Sequence, residues 1–176
     1  MGGHNKWSQI KRQKGANDAA KSRVWAKLSR RITVESKKAG GDANAANVRS
    51  VVDIAKRENM PKDAIERAIQ KGTGADAGEM ETITYETYGP GGAAIIIETL
   101  TDSRNRTAQE IKHLLTKNGL SLASPGSAAW AFTKTLEGYE PQSTVELPEA
   151  DNARLIEILE EIDAHDDVEN VYTNAA

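Results

Sequence analysis

The sequence predicts an α+β protein in which a basic three-helix bundle is followed by a ferredoxin-like α+β sheet domain. Apolar residues recur every three or four positions as far as Gly72, and from Thr82 onward they alternate with a period of two. Glycines and a proline interrupt the first pattern where short helices are expected to end. The net charge reverses between the two regions, which indicates two units with different surfaces.

The charge reversal is large. Residues 1–74 contain 17 Lys and Arg against 7 Asp and Glu, whereas residues 75–176 contain 6 against 19. We therefore expect a basic arm and three helices over residues 1–74, a linker over 75–81 and an acidic sheet domain over 82–176.

The first helix is predicted to begin near Asn17 or Asp18, because either side chain can accept a hydrogen bond from the free N–H groups of a first turn. Gly40-Gly41 is expected to end it. One apolar stripe lies between these limits, formed by Ala20, Val24, Trp25, Leu28 and Ile32.

Two further short helices are predicted, over residues 45–58 and from Pro61 to Gly72. Pro61 suits a first helical position, because its missing N–H group would have no partner there. Each helix has an apolar stripe that it cannot bury alone, so a three-helix bundle is expected.

The sheet domain is predicted to have the order β-β-α-β-β-α-β, with two strand–helix–strand units on one face of the sheet. The predicted strands cover residues 82–88, 93–101, 127–134, 143–147 and 168–172, and the predicted helices cover residues 107–117 and 149–164. Gly89-Pro90-Gly91-Gly92 predicts a tight hairpin with positive φ angles. It lacks the Lys-Ser/Thr pair that a phosphate-binding loop needs.

The composition excludes several classes of protein. There is no cysteine, so disulfides and thiol chemistry are excluded, and a reducing cytoplasm is the expected location. No apolar run is long enough to span a membrane, and the start of the chain lacks the apolar segment of a secretory signal.

The chain carries no pattern typical of a catalytic or metal site. His4, His113 and His165 fall in separate elements without the spacing of metal ligands. The acidic pairs are expected on a solvated helix end rather than in a pocket. We expect a non-enzymatic protein with no cofactor, no metal and no small-molecule substrate.

The basic N-terminal segment is the predicted nucleic-acid-binding surface, because so many cations repel one another unless a polyanion compensates them. Trp7 could stack on an exposed base or pack the arm onto the bundle. The predicted binding residues are Lys6, Trp7, Lys11, Arg12, Lys14, Lys21, Arg23, Lys27, Arg30, Arg31, Lys37 and Lys38.

Arg104 and Arg106 form a possible secondary anion contact, because they stand beside the N–H groups of a predicted helix start. The alternative is an ordinary helix start in which Asn105 or Thr107 caps the first turn.

Four blocks of sequence resemble one known family. They are Gly3-His4-Asn5-Lys6-Trp7, Asn59-Met60-Pro61-Lys62, Tyr88-Gly89-Pro90-Gly91-Gly92 and Asn105-Arg106-Thr107. These blocks resemble the YebC family, which includes bacterial proteins called probable transcriptional regulators and the mitochondrial translational activator of cytochrome c oxidase. The resemblance implies a cytoplasmic, non-enzymatic regulator. Some members are described as binding promoter DNA, and others as acting on the ribosome to assist translation.

One departure from the family stands out. Members usually carry a further acidic domain between the positions of Lys134 and Tyr139, where this chain has only Thr135 to Gly138. A connection this short predicts a hairpin. The chain is therefore identified as a short form without the inserted third domain.

Three functions remain open on these observations. The first is binding of rRNA or the ribosome with an effect on translation, because rRNA is recognised largely through its backbone and shape. The second is DNA binding by a transcriptional regulator, with a helix in a groove. The third is a protein-interaction adaptor that uses the acidic domain.

Overall fold

The computed structural model describes Trp7 and residues 18–74, 79–136 and 138–176, and it divides the chain into two compact units. The helical unit lies between Gly15 and Met80. The sheet unit comprises Glu81–Ala176 together with Trp7. None of the helices in the described part of the chain combines the length and hydropathy needed to cross a membrane.

The helical unit contains the three predicted helices. They are α1 (Asp18–Lys38), α2 (Ala46–Arg57) and α3 (Lys62–Lys71). Gly40 and Gly41 have φ angles of 62° and 87°, which explains why glycines stand after α1. The helices share one apolar core, formed by Leu28, Ile32, Val51, Ala55, Met60, Ile65 and Ala68. The predicted bundle is therefore confirmed.

Two side chains of α1 bind the last turn of α3. The hydroxyl of Thr33 donates to the carbonyl oxygen of Ala68 at 3.0 Å, and the hydroxyl of Ser36 donates to that of Ile69 at 2.7 Å. These bonds add a second donor to the carbonyl groups of Ala68 and Ile69, which also accept the Gly72 N–H group at the end of α3. They also bring the two helices so close that a Cβ atom on Gly72 would lie 2.6 Å from the Thr33 carbonyl oxygen.

The sheet unit is built on four antiparallel strands in the order β3-β1-β2-β6. They are β1 (Glu81–Tyr88), β2 (Ala94–Thr101), β3 (Leu122–Ala123) and β6 (Val168–Thr173). The turn between β1 and β2 has positive φ angles at Gly91 and Gly92, as predicted. β2 lies between β1 and β6, and most of its side chains are buried.

The two faces of this sheet are covered differently. Helices α4 (Arg104–Lys117) and α5 (Glu149–Asp163) pack against the face that carries Ile95 and Ile97. A hairpin of β4 (Phe132–Thr135) and β5 (Gly138–Pro141) packs near Ala94 and Ile96 on the other face. The α+β class is thus confirmed, and so is the hairpin predicted at residues 135–138.

The strand predicted over residues 127–134 is wrong in its first half. Glu86, which is 7 % exposed, accepts hydrogen bonds from the N–H groups of Gly126, Ala128 and Ala129 at 2.7–2.8 Å. Because Glu86 takes these donors, the backbone cannot offer them to a neighbouring strand. Residues 129–131 instead form a 3-10 turn, which leaves Trp130 56 % exposed.

The strand predicted over residues 143–147 is also wrong, because only the single bridge between Val145 and Ala175 forms there. The second predicted strand–helix–strand unit is therefore absent from the described part of the chain. One strand–helix–strand unit is present. In this unit α4 connects β2 to β3, and β1 lies between β2 and β3 in the sheet.

The start of α4 also differs from the prediction. The helix begins at Arg104, three residues before the predicted Thr107, and the preceding residue is Ser103. Neither predicted cap is used. The hydroxyl of Thr107 instead forms hydrogen bonds of 2.7 Å with Thr101 and with Asp167 inside the core. Because Thr107 is buried, its hydroxyl binds these core residues and does not cap the helix.

The close contact at Gly72 gives a test of the bundle. Gly72→Ala is expected to lower the free energy of unfolding by about 2 kcal/mol, because the added methyl group clashes with backbone and Cβ atoms of α1. The matched control is Gly74→Ala, whose Cβ atom would meet its nearest neighbour at an ordinary 3.6 Å. Chemical denaturation measures both, and equal stabilities would contradict the close packing.

Candidate nucleic-acid interface

The predicted binding surface is described in part. Lys6, Lys11, Arg12 and Lys14 lie outside the described residues. The basic residues of α1 and the side chain of Trp7 are described.

The cations of α1 differ in their exposure. Lys21, Arg23, Lys37 and Lys38 are exposed, whereas Arg30 and Arg31 are half-buried. Lys27 is only 9 % exposed and interacts within the protein. The phosphate contact predicted for Lys27 stays a prediction, and its low exposure does not favour that contact.

Glu35 is an acidic residue within this cationic helix. Its carboxylate accepts hydrogen bonds from Lys38 and Asn47 at 2.8 Å each. Partial burial would raise the pKa of Glu35, but these two bonds and the charges of Lys38 and Arg31 outweigh it and lower the pKa. Glu35 is therefore a carboxylate at neutral pH and compensates part of the charge at the end of α1.

The other helices carry exposed cations that the sequence prediction missed. Among the described residues, no carboxylate forms an ion pair with Arg49, Lys56, Arg57 or Lys71. Residue spacing in the sequence does not predict which cations are paired. Arg57 follows Asp53 by four residues, the spacing of a helical ion pair, and yet these two residues form none.

Lys62 and Arg67 of α3, by contrast, are paired. Lys62 lies 3.7 Å from Glu66, and Arg67 lies 3.1 Å from Asp63. Both pairs are exposed, so they reduce the local charge without holding the side chains firmly.

Trp7 does not pack onto the bundle, and its stacking on a base stays a prediction. Its side chain is 4 % exposed and belongs to the core cluster of the sheet unit, which also contains Tyr85, Ile97 and Ile111. The prediction that Trp7 packs onto the bundle is therefore wrong, and in this structure its ring is not available for stacking on a base. Among the residues that the structure describes, neither its Nε1–H group nor the Tyr85 hydroxyl has a hydrogen-bond partner.

The guanidinium groups of Arg104 and Arg106 are already paired with carboxylates. Arg104 lies 2.9 Å from Glu81, and the hydrogen bond between them raises the pKa of Arg104 and lowers that of Glu81. Arg106 lies 2.9 Å from Asp167 and 3.1 Å from Asp102, and the bond to Asp167 raises its pKa most. An external anion would have to displace these carboxylates, so the secondary anion contact stays a prediction.

A second polar cluster lies beside Arg106. Ligand-type atoms of Glu110, His165 and Asp167 lie within 4.8 Å of one another. The His165 Nδ1 atom accepts the N–H group of Asp167 at 3.0 Å, so its proton lies on Nε2, 2.8 Å from Glu110. The guanidinium of Arg106 lies 2.9 Å from Asp167 and 3.9 Å from Glu110. The Arg106 guanidinium thus already provides a positive charge beside the carboxylates of Glu110 and Asp167.

Two family models match the chain. Residues 5–75 match the model described as TACO1/YebC protein N-terminal domain. Residues 80–138 match the model described as TACO1/YebC second and third domain. The second match ends at Gly138, the first residue of β5, where the sequence predicts the loss of an inserted domain.

Curated relatives share a large part of the sequence. A probable transcriptional regulatory protein of Fervidobacterium nodosum is 51 % identical over 136 residues, which are 76 % of this chain and 54 % of that protein. One from Desulfatibacillum aliphaticivorans is 47 % identical over 168 residues, which are 94 % of this chain and 66 % of that protein. The chain thus spans about half the length of the first of these relatives.

A solved structure has a similar fold. It is the crystal structure of the conserved hypothetical protein Aq1575 from Aquifex aeolicus. The TM-score is 0.78 at 25 % sequence identity, and the match covers 90 % of this chain and 91 % of that chain.

The contacts of Asp167 give a test of the Arg106 cluster. Asp167→Ala is expected to lower the free energy of unfolding by about 2 kcal/mol, because it removes the buried acceptor that Arg106 and Thr107 share. Glu81→Ala, which removes the exposed partner of Arg104, is the control and should change stability little. Urea denaturation compares the two variants, and a small effect of Asp167→Ala would refute the structural role of the cluster.

Proposed function

Because the chain belongs to the TACO1/YebC family, we propose that it is a nucleic-acid-binding regulator that binds rRNA on the ribosome and assists translation in the cytoplasm. The observation that carries the proposal is a set of exposed cations without a carboxylate partner among the described residues of the helical unit. These cations are Lys21, Arg23, Arg49, Lys56, Arg57 and Lys71.

Uncompensated cations are costly for a small bundle. Like charges on one compact unit repel one another, and a polyanion relieves that repulsion while it releases its own counterions. The acidic residues of the helical unit do not remove this excess, since 13 Lys and Arg face 9 Asp and Glu over residues 15–80. A phosphate backbone is the ligand that fits such a surface.

The chemistry of this surface favours phosphate contacts over reading of bases. Lys and Arg on helix surfaces can follow a backbone whatever its sequence, and structured RNA is recognised largely by backbone and shape. Trp7, the aromatic residue expected to stack on bases, is buried in the sheet unit. These points support rRNA as the target.

The acidic sheet unit restricts where a phosphate can bind. Residues 75–176 carry 19 Asp and Glu against 6 Lys and Arg, and Arg104 and Arg106 are engaged in ion pairs. Phosphate is therefore repelled from most of this unit. We place the nucleic-acid contacts on the helical unit and the cationic arm.

DNA is the second candidate ligand. The printed names of the relatives describe probable transcriptional regulatory proteins. A sequence-specific DNA reader needs side chains that reach base edges in a groove, and it then binds its own site far more tightly than random duplex.

The first test removes two charges from the proposed surface. Lys21→Gln combined with Arg23→Gln should weaken binding to a fluorescently labelled rRNA fragment by at least about tenfold. It should also reduce the slope of log affinity against log salt by about 1.5, since two phosphate contacts are lost. The matched control, Lys112→Gln combined with Lys134→Gln, removes two exposed cations of the sheet unit and should leave both quantities unchanged.

Two further measurements decide between the ligands. The full chain should co-sediment with ribosomes at moderate salt, and recovery only in the soluble fraction would contradict the ribosomal role. Binding to promoter DNA and to random duplex should be equally weak. A strong preference for promoter DNA would replace the ribosomal proposal with the transcriptional one.

A further inference from the structure

Trp130 is the exposed tryptophan of the sheet unit. It is 56 % exposed, whereas Trp7 is buried and Trp25 is half-buried. The residues that follow it, Ala131 and Phe132, enter the core under the β4–β5 hairpin. The structure thus places a large apolar ring at the surface, beside the start of β4.

Hydrogen bonds on each side of Trp130 hold the exposed indole in position. Its Nε1–H group donates to the Tyr88 hydroxyl at 2.7 Å, and that hydroxyl donates to the carbonyl oxygen of Ser127. The side chain of Gln142 donates to the Trp130 carbonyl oxygen, and Glu86 binds the N–H groups of the two preceding residues. Because the indole N–H group already has an acceptor, a ligand meets the aromatic ring itself. The side chain also has little conformational freedom to lose on binding.

Cations are scarce on the side of the sheet that carries Trp130. Residues 75–176 contain six Lys and Arg. Five of them lie on α4 and α5, the helices of the opposite face, and these are Arg104, Arg106, Lys112, Lys117 and Arg154. The sixth, Lys134, lies in β4 with its Nζ atom 5.5 Å from the centre of the Tyr139 ring, a cation–π contact within the hairpin. A phosphate backbone therefore meets little positive charge on this side.

Carboxylates outnumber this one cation among the described residues of the same side. Glu86 is paired with Ile96 across β1 and β2, and Glu98 follows Ile96 by two residues, so both carboxylates lie on the hairpin side of the sheet. Glu140 is exposed on β5. The face of an indole attracts a cation through its ring quadrupole, and tryptophan is the best aromatic partner for Lys and Arg. The ring and the carboxylates therefore favour the same kind of ligand.

We propose that Trp130 and the hairpin beside it form a docking site for a cationic segment of a partner protein. The indole packs on the guanidinium group of an arginine, which stacks on aromatic faces and is more weakly hydrated than a lysine ammonium. The excess of 19 Asp and Glu over 6 Lys and Arg in residues 75–176 steers such a segment toward the sheet unit. All residues of this site belong to the sheet unit, so the inference does not rest on the proposed function.

Two other occupants predict different behaviour. A nucleic-acid base also stacks on an indole, but its phosphates need cations that this side of the sheet lacks. A second copy of the chain would bring two acidic sheet units together, which their like charges oppose. Binding measurements on one set of variants separate both from a cationic peptide.

The first experiment measures binding of a fluorescently labelled peptide of alternating Arg and Gly residues to the full chain at physiological salt. Trp130→Leu should weaken this binding about fivefold, because leucine is apolar but has no aromatic face for a guanidinium group. Trp130→Phe keeps an aromatic face and should lose less. The control, Leu136→Ala, removes another exposed apolar side chain of the hairpin and should bind as the original chain does. Equal affinity of Trp130→Leu and the original chain would overturn the inference.

A pair of charge variants tests the part played by the carboxylates. Glu140→Gln removes an exposed carboxylate of the hairpin and should weaken peptide binding about twofold. Glu157→Gln removes an exposed carboxylate of α5, on the opposite face, and should leave the affinity unchanged. Equal losses in the two variants would show that the peptide binds the acidic surface without a defined site. That result would also overturn the inference.

The Trp130→Leu variant also decides between the occupants. Its binding to the rRNA fragment should equal that of the original chain, and weaker RNA binding would assign the indole to base stacking instead. Self-association of the original chain that is lost in Trp130→Leu would assign it to a second copy. Failure of the original chain to bind RNA would overturn the proposed function and leave the peptide site intact.

Discussion

Burial of β2 on both faces is the constraint on which the sheet unit depends. Its side chains alternate, so that Ile95 and Ile97 enter the core under the helices while Ala94 and Ile96 enter the core under the β4–β5 hairpin. A strand buried in this way requires a cover on each face. The chain supplies α4 and α5 for one face and the hairpin for the other. Trp7 completes the helical side, although it is remote in sequence from the rest of that core.

Separate cores allow the two units to carry opposite charge. The bundle buries its own apolar cluster, so its outer surfaces can hold cations that are unpaired within the described chain. The sheet unit buries a different cluster and carries most of the carboxylates. Because the exposed cations of the bundle lie outside its apolar core, they are available for the proposed binding.

The elements that were predicted correctly from the sequence are those that depend on the local pattern of apolar residues and on the residues of the turns. The three helices, the Gly91-Gly92 turn and the hairpin at residues 135–138 follow from periodicity, glycine positions and a short connection. The prediction failed where a distant side chain decides the local structure. Glu86 removes three N–H donors from residues 126–129, and no pattern near those residues reports this. The burial of Lys27 and Trp7 is likewise set by tertiary packing rather than by helical spacing.

The central claim is that nucleic acid binds the basic N-terminal half and not the acidic sheet. Photocrosslinking of bound rRNA to the full chain, followed by mass spectrometry of the crosslinked peptides, tests it most directly. The account predicts crosslinks within residues 1–74 and none within α5, whose first turn carries Glu149 and Asp151. Crosslinks concentrated within residues 81–176, or none from a folded chain, would contradict it.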